Sequence, residues 1–173
     1  VRVRVEPTTV PVIVTAASPQ READGHEIAV DEAPIEEIDG AFLIEIRGVR
    51  VRYRFHARRE ATTDLTILVL ADHGRLFLGG GRRSCVIDLD RRVVEHTFDH
   101  WQFWGFDRLT RPGFVLETGE LDALFRAPDG RILGHVPVDP PWESRVDQAG
   151  IRFSSLVQGE RLLPFPEQET EVD

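Results

Sequence analysis

A chain of 173 residues, 41% of them hydrophobic and 29% charged, has the size and balance of one globular domain rather than of a disordered segment. No apolar run reaches the roughly 18 residues of a spanning helix, and a formal net charge of −9 repels phosphate backbones, so membrane insertion and general nucleic-acid binding are both disfavoured. All 21 cationic side chains are arginine, with no lysine, asparagine or methionine anywhere; this looks like the coding bias that a GC-rich genome would impose, and it removes arginine abundance as an argument for phosphate binding.

Read in chain order, β-branched and aromatic residues recur in short runs bounded by Gly, Pro and Asp, and no window shows an apolar stripe at helical spacing. Val10 to Thr15 reads as a first strand rather than a secretory signal, because Glu6, Pro7 and Pro11 interrupt the pattern that a signal requires. Further strands are expected at Glu27 to Val30 and Ala41 to Ile46. The segment Asp31 to Asp39 is the best place for a turn of helix, since its acids and Pro34 suit a helix start. The clearest alternation is Val49 to Phe55, which sets Val49, Val51, Tyr53 and Phe55 on one face and Arg50, Arg52 and Arg54 on the other. Strands follow at Leu65 to Leu70, Arg75 to Leu78, Ser84 to Leu89, Arg92 to Thr97, Phe114 to Glu117, Leu121 to Arg126, Ile132 to Val136 and Ile151 to Leu156.

Two stretches match at an offset of 39: Gly74 to Leu78 with Gly113 to Leu116, and Arg92 to His96 with Arg131 to His135. A turn rich in acid or glycine lies inside each copy, at Asp88 to Arg91 and at Pro128 to Gly130, and a third start follows at Gly150 to Phe153. A period near 40 with several strands per unit is that of propeller blades. The pattern from Leu124 to Leu133 resembles the repeat of quinoprotein-like β-propellers. With Trp104-Gly105 before it and Pro140-Pro141-Trp142 after, it also resembles uncharacterised bacterial proteins built on such a repeat. The resemblance covers about residues 73 to 165. It implies blade-like sheets; Gly134 stands where the quinoprotein repeat has tryptophan, so no quinone cofactor is expected. The expected fold is all-β with very little helix: a single domain in which residues 73–165 form two blades of a partial propeller-like stack of antiparallel sheets. Residues 1–72 add strands that cover its open side, and 166–173 form an acidic tail.

Candidate chemistry is sparse. His96 and His100, with Asp99 between, have ligand spacing, but in a strand residues four apart lie roughly 13 Å from each other, so no metal site is expected. Glu120 and Asp122 share a strand face, and with Glu117 they form the best carboxylate group. Cys85 lies in an apolar run and reads as a buried small hydrophobe; a lone cysteine forms no internal disulfide, which agrees with a cytoplasmic location. Gly79-Gly80-Gly81-Arg82-Arg83 opens a strand rather than a helix and reads as a hairpin connection, not a phosphate cradle. Ser154-Ser155 has no nucleophile elbow around it. The remaining feature is the aromatic group at Trp101, Phe103, Trp104, Phe106 and Trp142, in which an exposed tryptophan would anchor an interface. The expectation is therefore a non-catalytic protein–protein interaction module, an immunity-type inhibitor or adaptor of a basic partner, using Trp101, Trp104 and Trp142 with Arg50, Arg52 and Arg54. The alternative is a small-ligand or metal-binding hydrolase using His96, Asp99, His100 and Glu117.

Overall fold

The computed structural model describes residues 3–19, 24–31, 40–55, 65–109 and 113–166. Sixteen strands occupy them: β1 (Val3–Val5), β2 (Val12–Ala17), β3 (Glu27–Asp31), β4 (Gly40–Ile46), β5 (Val49–Phe55), β6 (Leu65–Leu70), β7 (Arg75–Gly80), β8 (Arg83–Asp88), β9 (Val93–Asp99), β10 (Phe103–Arg108), β11 (Val115–Gly119), β12 (Asp122–Arg126), β13 (Ile132–Pro137), β14 (Trp142–Val146), β15 (Gly150–Ser155) and β16 (Gly159–Pro164). One 3₁₀ turn at Ala71–His73 is the only helical element among the described residues. The all-β expectation holds. The candidate helix at Asp31 to Asp39 lies outside the described residues except for Asp31, which closes β3.

Four sheets form, with strand orders β2-β4-β5-β3, β1-β6-β7-β8-β9, β10-β11-β12-β13 and β14-β15-β16, and none closes into a barrel. They stack face to face in that sequence. The alternation of each strand assigns its side chains to one interface or the next. On β6 to β8, Leu65, Ile67, Val69, Leu76, Leu78, Cys85 and Ile87 face the first sheet, where they meet Ile44, Val51, Tyr53 and Phe55. Their neighbours Leu68, Leu70, Phe77 and Val86 face the third sheet and meet Phe103, Phe106 and Val115. Leu116, Ala123, Phe125 and Val136 face the fourth, against Ile151, Phe153 and Leu163. A sheet buried on both faces needs apolar residues at consecutive positions, which is why Leu65 to Leu70 reads as an apolar run broken only by the buried Thr66. Each large aliphatic side chain so buried stabilises the fold by about 1.5–3 kcal/mol.

The internal repeat is real, and its register is copied. β7–β8 pairs Leu76 with Ile87 and β11–β12 pairs Val115 with Arg126, each 39 residues on. A bulge interrupts both following ladders at the same place, between Val86 and Ile87 and between Phe125 and Arg126. Along β9 and β13 the offset is 38 on both sides of the bulge: Val94 corresponds to Ile132 and His96 to Gly134, so the counterpart of His96 is not His135. The change arises in the preceding turn, which holds six residues between the paired Ile87 and Val94 but five between Arg126 and Ile132; Arg92 and its counterpart Gly130 both take positive φ, 57° and 99°. The repeating unit begins with the first strand of each sheet, at β6, β10 and β14. Two pairings are parallel, β1 with β6 and β3 with β5, both supplied by the N-terminal strands.

Candidate functional site

Strand directions put the turns β7–β8, β11–β12 and β15–β16, together with the crossovers between sheets at 100–102 and 138–141, at one end of the stack. The crossovers are pinned there by backbone hydrogen bonds: His100 N–H donates to the Arg82 carbonyl and Phe103 N–H to the Gly81 carbonyl, each at 2.7 Å, and Val138 N–H donates to Leu121. The opposite end is closed by polar turns of one design. Asp88, Asp129 and Asp147 each accept a backbone N–H two residues on, from Asp90, Arg131 and Ala149. A backbone bond comes first in holding two of these carboxyls below the usual aspartate range, from Arg91 N–H at Asp88 and from Ala149 N–H at Asp147; at Asp129 burial works against the Arg131 bonds and is outweighed.

The crossover end differs in carrying aromatic rings; exposed aliphatic side chains stand at both ends, with Val93, Ile132 and Val146 beside the opposite turns. Trp101 is 65% exposed, Trp104 43%, Leu121 38%, Leu156 88% and Val157 76%, and all five lie in or beside its turns and crossovers. Arg82 stacks on Trp101 at 5.7 Å from the ring centroid. Trp104 is the residue skipped by the register shift between Phe103 and Gly105; it therefore leaves the sheet and stacks on Trp142 of the next sheet, centroids 5.1 Å apart. Trp142 in turn meets Phe153 edge-on. Phe103 and Phe106 instead go inward, so of the sequence-level aromatic group two rings are core, Trp142 is half-buried, and two are displayed. Asp99, Glu120, Asp122, Asp139, Glu143 and Glu160 also stand at this end, against Arg82, Arg83 and Arg161.

The arginine row occupies the outer face of the first sheet and is already engaged. Arg52 Nε donates to Glu27 at 2.8 Å, Arg54 makes two bonds to Asp31 at 2.6 and 2.7 Å, and Arg50 pairs with Glu27 and Asp24. Arg52 is 1% exposed and Arg54 5%. The Arg52 bond comes first in holding the Glu27 carboxyl below its usual range, against burial.

Beneath the crossover end lies a polar network between the second and third sheets that sequence reasoning did not assemble. Glu117, fully buried, accepts hydrogen bonds from Ser84 Oγ, Arg126 Nε and His100 Nε2, the last at 2.6 Å. His100 Nδ1 lies 3.4 Å from Asp122, whose other oxygen lies 3.2 Å from His135 at the surface. Gly119 makes room for the His100 ring, since a Cβ there would strike Nδ1. Burial raises the Glu117 pKa, but the His100 and Arg126 contacts outweigh it and hold the carboxyl below the usual glutamate range. The residues of the catalytic alternative are thus divided. His100 meets Glu117 in the interior, whereas Asp99 pairs with Arg83 at 2.7 Å and His96 packs beside Gly130. Among the described residues no three His, Cys, Asp or Glu side chains form a metal-ligand set. Cys85 is buried, and desolvation pushes its thiol up to about 12. Gly79 and Gly80 belong to β7, and Gly81, at φ 53°, makes the hairpin turn. Ser154 and Ser155 end β15.

No helix of the described residues is long and apolar enough to cross a membrane. No protein-family model matches the sequence, and comparison with curated proteins finds no significant similarity.

Proposed function

We propose that this chain is a non-catalytic protein–protein interaction module, an adaptor or immunity-type inhibitor, and that the crossover end of the stack is its contact surface. The observation that carries this reading is the display of Trp101, Trp104, Leu121, Leu156 and Val157 together at one end. The acids around them and the net charge of −9 favour a basic partner. The arginine row serves the first sheet internally and is assigned no contact role. The buried His100–Glu117 pair is assigned to the packing of the second sheet on the third, not to catalysis.

The test is capture of partners from the native host, purification of the captured protein, and titration with the wild-type chain and with Trp101→Ala and Val157→Asp. A direct partner whose affinity falls about tenfold or more in each variant, and falls with added salt, supports the reading. A purified partner that binds all three chains equally, or no protein that binds the purified chain directly, overturns it.

A further inference from the structure

We propose that the crossover end receives a basic amphipathic α-helix of a partner protein, laid across the ends of the second, third and fourth sheets; this rests on the interaction reading above. The argument begins with the repeat. The turns β7–β8, β11–β12 and β15–β16 are equivalent positions, one per sheet, and they present Arg82 with its stacked Trp101, then Leu121, then Leu156 and Val157. Sheets packed face to face repeat at roughly 10 Å. The apolar features of this end therefore recur along the stack at that spacing.

An α-helix rises 1.5 Å per residue, so side chains seven apart return to the same face after about 10.5 Å. An extended strand returns to one face every two residues, at about 6.6 and then 13 Å, and matches the sheet spacing poorly. Apolar residues seven apart on a helix thus meet successive sheets, in the groove-binding manner by which amphipathic helices dock. The stacked Trp104–Trp142 pair bridges the third and fourth sheets and closes the gap between two such contacts. Glu120 and Glu143 adjoin Leu121 and Trp142, and Glu160 follows the β15–β16 turn, so the helix should carry Arg or Lys beside its apolar face. The same acids argue against a second copy of this chain, which would set like charge against like, and against an anionic bilayer.

The experiment uses the full chain and synthetic helical peptides of Leu, Ala and Arg with leucines seven residues apart. The controls are the same composition with leucines five apart, a version with proline at its centre, and one with Glu in place of Arg. Tryptophan emission and calorimetry read binding. The in-register basic peptide should bind about tenfold or more tighter than every control, and Leu121→Asp and Leu156→Asp, both at exposed positions, should lose that preference with unchanged circular dichroism. Equal binding of the five-spaced or proline peptide, binding of none, self-association that buries Trp101, or binding to anionic vesicles instead would each overturn the helix assignment. If the peptides fail while a purified native partner still binds in a Trp101-dependent way, the helix falls and the interaction reading stands. If that partner is also indifferent to Trp101, both fall.

Discussion

Glu117 shows at the scale of one residue why the second and third sheets stay together. Three donors from three strands or loops converge on one buried carboxylate, so removing it strands Arg126 and His100 in the interior. Glu117→Ala should destabilise by about 3–5 kcal/mol, measured by urea unfolding. Because the folded-state pKa of Glu117 lies below its unfolded value, its contribution is complete above the unfolded glutamate pKa of about 4.3 and is lost as pH falls through the folded value. Acid titration of stability should accordingly show a downward limb below about pH 4.3 that Glu117→Gln flattens. Cys85 offers a second check at this scale. With its thiol fully buried and its pKa near 12, it should not react with an aromatic disulfide reagent in the native state, and should react fully in denaturant.

Among the elements, the β4–β5 hairpin turns on Arg47 and Gly48, at φ 48° and 73°, a two-residue turn with both residues left-handed. Asn tolerates that region better than Arg, so Arg47→Asn should raise stability by up to about 1 kcal/mol in thermal unfolding. Gly79 has the opposite requirement: the Phe103 ring of the third sheet lies where a Cβ would stand, and Gly79→Val should separate the two sheets and lower stability by about 1–3 kcal/mol. Such contacts explain what could be read from the sequence. Strands buried on one or both faces, such as Val49 to Phe55 and Leu65 to Leu70, announced themselves by alternation or by nearly continuous apolar runs, and the Asp and Gly turns marked their ends. β14 and β16 were silent, because they belong to a terminal sheet with one face in water and mix Glu, Arg and Ser with few apolar residues. β1, three residues long, gives too little pattern to detect. The copied turns and strands revealed the repeat, but the one-residue difference in the turn did not show, since side-chain similarity aligned His96 with His135 while the backbone aligned it with Gly134. The Glu117 network was invisible for a similar reason. Its members come from β8, the crossover, β11 and β12, and only the stacking of sheets brings them within bonding distance.

For the molecule as a whole, the shared interfaces predict one cooperative unit rather than sheets that melt singly. Cys85 reports on the packing of the first sheet against the second, and Trp142 with Trp104 on that of the third against the fourth. Denaturation followed by Cys85 labelling and by tryptophan emission should give coincident midpoints; a separation would show that the network around Glu117 fails to couple the halves. That network also marks one seam as unlike the other two. The seam on the first sheet is hydrocarbon edged by two bonds to backbone carbonyls, Tyr53 hydroxyl to Gly80 and Arg83 to Asp31, and the seam on the fourth is lined by hydrocarbon. A rearranged gene that joined the third unit directly to the first would press Glu117 and Arg126 against Ile44 and Val51 without Ser84 to meet them. Although the units share one strand register, they are not interchangeable bricks; a buried carboxylate at one joint specifies which neighbour belongs there.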